Sequence, residues 1–305
     1  MIRSFGKERV VTQNDRTLSP GATLRALIAR SEGALAVPGG GTALEARCAA
    51  DAGFETFYVS GYAVAAWRHG VPDVGLIAMA EIVDAVTSIT AISPVPVLVD
   101  ADTGYGDVAN VVRTVRSLES AGAAAVQIED QAWPKRCGHM EGKTVIPAGD
   151  MARKVRAAVR GRQDPSTVII ARTDARGPHG LKEAIDRSNR YLDAGADLIF
   201  VDAPESVDEL AEISASVPGI LVANMSESGK TPILPLDQLD SLGFKVVLYP
   251  TSALRLSAGV MSRLFTELRS AGATAPWVDQ MMTLDNLNSL LGLEQLAELE
   301  RAAES

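Results

Sequence analysis

Eight short runs of strand character alternate with amphipathic helical stretches along this chain, and few folds can absorb that pattern. The strand candidates are Ala34–Pro38, Thr56–Ser60, Val95–Asp100, Ala124–Glu129, Thr167–Arg172, Leu198–Val201, Ile220–Asn224 and Lys245–Tyr249. Helical patterns fill the gaps at Ala80–Ile92, Val108–Ala121, Gly149–Gly161, Leu181–Ala194 and Ser206–Ser216. Gly53, Gly122 and Gly195 follow such stretches directly, where glycine closes a helix in the left-handed conformation at little cost. Eight strand–helix units predict a closed parallel (β/α)8, or TIM, barrel as a single domain over residues 1–305. An open doubly wound sheet usually has fewer strands at this length, and no Gly-x-Gly-x-x-Gly opens the first turn. Only 5% of residues are aromatic against 47% hydrophobic, an aliphatic mix suited to parallel strands buried on both faces. Two more helical patterns, Ser252–Ala271 and Asp279–Ala303, follow the last strand. Pattern alone leaves open whether these C-terminal helices (252–305) cover their own barrel or pack between subunits.

In such a barrel chemistry sits at the C-terminal ends of the strands. Reading each run to its end gives Ser60, Asp100 with Asp102, Glu129 with Asp130, Arg172 with Asp174, Asp202, Asn224 and Tyr249. Loop acids are ordinarily solvated caps, but seven consecutive polar strand ends after apolar strand bodies are not ordinary. Asp100 and Asp102 stand two apart, so strand alternation aims both carboxylates to one side. Like charges so placed need a cation or a proton between them. With Glu129 they form an all-oxygen donor set suited to Mg²⁺, for which Mn²⁺ is the natural substitute. The run from Glu129 to His139 places the Cys137 thiol beside Lys135, Arg136 and His139, surroundings that favour a reactive thiolate. Its glycines, Gly138 and Gly142, predict a loop over the barrel mouth. His69 and His179, with His139, lack zinc-ligand spacing. Cys48 lies in the apolar helical stretch Ala43–Ala52 and reads as a core thiol.

The formal charge of −9 opposes a general nucleic-acid function, which needs clustered Lys and Arg, but not a small anionic substrate met by local cations. Two cysteines imply no disulfide framework and a reducing cytoplasm. No apolar run is long enough to span a membrane.

Taken together, Ser60-Gly61-Tyr62, Leu98–Gly104, Ile128–Gln131, Lys135–His139, Ala171–Ala175, Ala223–Met225 and Gly229–Pro232 carry a specific likeness. The chain resembles the isocitrate lyase/phosphoenolpyruvate mutase superfamily over nearly its whole length, most closely the 2-methylisocitrate lyase and 2,3-dimethylmalate lyase (petal-death-type) branch. The resemblance implies a helix swapped between subunits of a homotetramer. It implies Mg²⁺ on Asp100 and Asp102, with Asp73 and Glu129 acting largely through water. Tyr58, Ser60, Gly61, Tyr62, Gly138, Arg172, Asp202 and Asn224 would surround a small carboxylate substrate. Tyr58 would take the substrate hydroxyl proton, and Cys137, tuned by Lys135 and His139, would protonate the carbanion. The implied reaction is cleavage of a 2-hydroxy di- or tricarboxylate to a 2-oxo acid and a carboxylic acid. Three departures bear on the substrate: Gly40-Gly41-Thr42 after the first strand, Asp202 where a Glu is usual, and Gln127 where 2-methylisocitrate lyases tend to have His. Pocket size is expected to depend on Gly40, Tyr62, Trp67 and Tyr249. An oxaloacetate hydrolase, a carboxyphosphonoenolpyruvate phosphonomutase and a non-catalytic metabolite-binding relative are the alternatives.

Overall fold

The computed structural model describes residues 18–136 and 142–304. Eight parallel strands close into a barrel in sequence order: β1 Leu35–Gly40, β2 Phe57–Val59, β3 Val97–Asp100, β4 Ala125–Glu129, β5 Val168–Thr173, β6 Leu198–Val201, β7 Ile220–Asn224 and β8 Phe244–Tyr249. Pairing of Leu35 with Val246 and Pro38 with Tyr249 seals the ring. The predicted barrel and all eight predicted strands are present, with ends shifted by two residues at most.

Alternation along each strand sorts side chains into two shells. Val37, Tyr58, Leu98, Ala125, Ile170, Phe200, Val222 and Leu248 fill the lumen. Val59, Val99, Val126, Ile169, Ile199 and Val247 point outward to the helical ring. The same period of two carries polar side chains inward where the strands end: Asp100 follows outward Val99, Glu129 follows outward Ile128, Arg172 follows outward Ala171, and Asp202 follows outward Val201. These four strands thus deliver their polar termini to one end of the barrel.

The opposite end is closed by a helix that the sequence reading omitted. Pro20–Arg30 starts on Ser19, whose hydroxyl accepts from the Ala22 amide, with Pro at the first helical position. Its Leu24, Leu27 and Ile28 pack into the lumen cluster as a plug. Cys48 is exposed on the helix Ala43–Asp51 and is not a core thiol. Ala46 and Ala49 take that helix's buried positions, and the 100° step per residue turns Cys48 away from them.

The C-terminal pattern divides into the helix Ser252–Ala271, a 3₁₀ turn Ala275–Gln280, and helices Leu284–Leu290 and Leu293–Ala303. Ser252–Ala271 is 20 residues long yet buries only Leu254, leaving Leu256 and Phe265 exposed. It therefore does not cover its own barrel. No described helix is long and apolar enough to cross a membrane.

Candidate active site

The polar strand ends and the loops beyond them enclose a cavity of about 260 Å³. That is small for a ligand site and suits a compact acid rather than a nucleotide. Tyr58, Ser60, Tyr62, Asp73, Asp100, Glu129, Lys135, Arg172, Asp202 and Asn224 line it, so ten of the residues singled out in the sequence converge. Asp102 and Gly61 stand just behind the wall: a Cβ on Gly61 would lie 3.3 Å from Asp100 Oδ2 and 3.4 Å from Asp102 Oδ1. Cys137, Gly138 and His139 lie outside the described residues.

One wall is acidic. Asp100 and Asp102 meet as expected, but not through strand alternation. β3 ends at Asp100, and Asp102 occupies a left-handed turn, φ 47°, with its amide donating to Asp100 Oδ1 at 3.1 Å. A non-glycine residue held there is strained, and such strain tends to collect at functional sites. Lys135 reaches into the middle of the acids. Its ammonium contacts Asp73 and lies 2.7 Å from Asp102 Oδ1. Burial pushes Asp102 up to about 7, with Asp100 and Asp73 adding to the rise and Lys135 opposing it. Burial likewise raises Glu129 well above the carboxylate range, against the pull of Arg172. Lys135 is lifted by its acidic neighbours against the effect of its own burial, so it stays an ammonium and moves no proton.

No three acid or His side chains among the described residues are already spaced as a metal shell. Lys135 bridges Asp73 and Asp102 instead. The donor set nevertheless fits a hard divalent cation. It is all oxygen, four carboxylates face one ammonium and a shared guanidinium, and buried Glu129 Oε1 has no hydrogen-bond partner among the described residues. Gln127, fully buried, extends this wall: its Nε2 donates to Asp100 Oδ1 at 3.4 Å. Burial raises the Tyr58 phenol well above its usual value, with Asp100 adding. A phenolate there is costly, which favours Tyr58 as a hydrogen-bond donor over the proton acceptor expected from the sequence.

The facing wall is cationic. Arg172 Nε donates to Asp174 Oδ2 at 2.8 Å and Nη2 to Asp174 Oδ1 at 2.9 Å. Nε also lies 3.3 Å from Glu129 Oε2, and Nη2 3.3 Å from Asp202 Oδ2. The two-donor fork of the guanidinium is thus committed to Asp174, although Arg172 lines the cavity as expected. What it offers a ligand is the Nη1 edge. Phe200 supports the guanidinium from 5.1 Å. Asp174 is itself held by Asp130, which accepts from its amide at 2.9 Å, from Thr173 Oγ1 at 2.7 Å and from Tyr191 Oη at 2.7 Å.

Ser226, Ser228, Thr251 and Arg255 also line the cavity and escaped the sequence reading. Ser226, Ser228 and Thr251 sit in the loops after β7 and β8 and Arg255 in the first turn of the helix Ser252–Ala271, where the rule that barrel sites are built beyond the strand ends was the available signal. Arg255 is anchored by the Glu227 carbonyl and, at 3.1 Å, by Ser228 Oγ.

Gly40, Trp67 and Tyr249 do not reach the cavity, contrary to expectation; Tyr62 does. Glu45 explains two of them. It accepts from the Gly41 and Thr42 amides at 2.9 and 3.0 Å and from Trp67 Nε1 at 2.9 Å, and a Cβ on Gly40 would lie 2.5 Å from its carboxyl carbon. A Cβ on Gly41 would fall 2.6 Å from the Ala63 and Val64 backbone, so the segment carrying Ser60 and Tyr62 packs directly on β1.

Fold and site define a (β/α)8-barrel enzyme with an acidic wall facing a cationic one around a small-acid pocket. The chain belongs to the phosphoenolpyruvate phosphomutase family, whose model matches residues 24–269, and within it lies among lyases. It is 41% identical to the 2,3-dimethylmalate lyase of Eubacterium barkeri, over 93% of this chain and 98% of that one. It is 43% identical to the petal death protein of Dianthus caryophyllus (97% and 94% covered) and 42% identical to the 2-methylisocitrate lyase of Aeropyrum pernix (93% and 92%). An oxaloacetate acetylhydrolase solved with 3,3-difluorooxalacetate superimposes with a TM-score of 0.90 at 30% identity, covering 94% of this chain and 98% of that one. A phosphonopyruvate hydrolase solved with oxalate and Mg²⁺ gives 0.83 at 26% identity, with 93% and 99% covered.

Proposed function

We propose that the protein is a Mg²⁺-dependent carbon–carbon lyase that cleaves a 2-hydroxy di- or tricarboxylate to a 2-oxo acid, such as pyruvate, and a carboxylic acid. The observation that carries this reading is the division of one small cavity into an over-acidic wall and a wall that presents the guanidinium groups of Arg172 and Arg255. The first fits a divalent cation, and Arg172 with Arg255 fits the carboxylates of an anionic substrate.

Asp100 and Asp102 would hold the cation directly, with Asp73 and Glu129 acting through water. A bound Mg²⁺, or Mn²⁺ in its place, supplies Lewis-acid stabilisation of negative charge developing on substrate oxygens. The chain's own groups do the rest. Tyr58 donates a hydrogen bond to the substrate, and Lys135 holds Asp73 and Asp102 in place. Asp202 Oδ1, buried at the cavity wall with no partner among the described residues, is placed to accept the substrate's hydroxyl proton. Ser60, Gly61, Tyr62 and Asn224 complete the substrate's surroundings. Protonation of the departing carbanion falls to Cys137, tuned by Lys135 and His139, with Gly138 among the residues around the substrate; these roles rest on the family likeness.

The test is a screen of 2-methylisocitrate, 2,3-dimethylmalate, citramalate, isocitrate and oxaloacetate with Mg²⁺. Release of a 2-oxo acid that stops on chelation is the expected result. Oxalate formed from oxaloacetate would instead support a hydrolase, the reading favoured by the acetylhydrolase superposition. Ligand binding without turnover of any acid would remove the lyase reading.

The uncovered helix Ser252–Ala271 supports a second part of the reading: that it and the helices after it pack against neighbouring copies in a cytoplasmic homotetramer. Sedimentation at four chain masses is expected; a monomer at micromolar concentration would end this assignment.

A further inference from the structure

The cation facing the substrate is not independent of its surroundings. Arg172 is bound by Asp174 and Asp202 and lies 3.3 Å from Glu129, whose carboxyl burial raises well above the usual range; even without Glu129, two carboxylates against one guanidinium leave a net negative wall. Such a wall repels an anionic ligand. Lys143 changes the sign of that sum. Its Nζ donates to Asp174 Oδ1 at 2.9 Å and to Asp202 Oδ2 at 3.1 Å, with its side chain 5% exposed. Arg172 contacts the same two oxygens through Nη2, at 2.9 and 3.3 Å. The four groups therefore form a buried ring of two cations and two anions.

The backbone delivers Lys143 to that place. The Ala132 amide donates to the Thr144 carbonyl at 2.8 Å and the Ile146 amide to the Asp130 carbonyl at 2.9 Å, while Gln131 and Val145 pair as an antiparallel bridge. This short ladder ties the 144–146 segment to the end of β4, beside β5 and its Asp174. The Asp174 carboxyl is held well below the usual range by Arg172 and Lys143 despite its burial, so it stays charged, and it and Asp202 each lie against both cations. With the ring neutral, Asp174 and Asp202 hold one edge of the guanidinium. The Nη1 edge has no partner among the described residues and is left for a carboxylate.

We infer that Lys143 is a positioning residue for substrate: it never touches the ligand, and by neutralising Asp174 and Asp202 it leaves Arg172 oriented and electrostatically available to a bound carboxylate. The inference rests on the reading of the cavity as a carboxylate site. It does not need any particular acid to be cleaved.

Oxalate is the probe, because its binding can be measured by calorimetry with excess Mg²⁺ and without turnover. Lys143→Met keeps most of the volume and removes the charge; oxalate affinity is expected to fall at least about 30-fold, with Lys143→Arg within about 5-fold of the unaltered protein. Asp174→Asn in the Lys143→Met background makes the ring neutral again, and about 10-fold of the loss should return. A purely structural role for Lys143 predicts no such recovery. A folded Lys143→Met protein that binds oxalate within twofold of the unaltered protein overturns the inference. Should Lys143→Met not fold, the neutral double variant decides: affinity within about 10-fold of the unaltered protein supports the inference, and lost binding overturns it. Absence of lyase activity across the hydroxy-acid screen would count against the proposed reaction alone, since turnover plays no part in this readout.

Discussion

Asp100→Asn is expected to lower kcat/KM about 10⁴-fold, roughly 5.5 kcal/mol of transition-state stabilisation, while leaving the barrel folded. The substitution preserves volume at the last residue of β3, where an amide can still accept from the Asp102 amide and from Gln127. What it removes is one negative charge from a cluster that already holds more of them than Lys135 and Arg172 can balance. Burial with the charges of Asp100 and Asp73 pushes Asp102 up to about 7, so taking the charge off Asp100 relieves its neighbour. The melting temperature without metal should therefore stay level or rise slightly. The further rise produced by millimolar Mg²⁺, which follows from binding to the native state alone, should disappear. Two measurements thus move in opposite directions, and ordinary destabilisation cannot mimic them. A variant retaining kcat/KM within about tenfold, or still stabilised by Mg²⁺, would remove Asp100 from the metal site.

How much of this was legible in the sequence depends on how locally each feature is determined. Strands of a closed parallel barrel are buried on both faces, so β3, β4 and β5 are written as apolar runs, broken before their ends only by Gln127 in β4. Their ends were readable because Asp100, Glu129 and Arg172 interrupt those runs abruptly. Parity carried further than it was used: alternation inward and outward places Gln127 in the lumen beside Asp100, yet the residue had been weighed only as a departure from relatives. Asp102 joins Asp100 through a left-handed turn, which no alternation rule foresees. The two lysines mark the limit of local reading. Lys143 looks like an ordinary loop charge and Lys135 like a neighbour of the Cys137 thiol, and only packing shows that each ends buried between two aspartates. Cys48 failed for the converse reason. Its neighbours are apolar, but helical phase sets which of them face the barrel, and Cys48 falls outside that stripe.

Arg172→Lys, the mildest change by charge, should cost about 10³-fold in kcat/KM, close to 4 kcal/mol, and most of it should come through KM. The guanidinium serves Asp174 with two donors, reaches Glu129 and Asp202 at 3.3 Å each, rests on Phe200 and still presents Nη1 to the cavity. An ammonium has three protons around one nitrogen and no planar fork. Drawn to Asp174, the strongest partner, it cannot also span to Asp202 and present a donor to the ligand. Glu129 and Asp202 would each lose a buried cation contact, so a stability loss of about 1–3 kcal/mol should accompany the kinetic one. The two effects separate by pH. Lost pairing raises the carboxyls left behind, so they bind protons in the native state at pH values where the unfolded chain has released them. The variant's stability deficit should therefore shrink as pH falls towards 5, while its weak carboxylate binding persists because the donor geometry is absent at every pH. An Arg172→Lys enzyme whose KM returned to normal along with its stability at low pH would show that Arg172 acts only as a counter-ion in the ring and makes no contact with substrate.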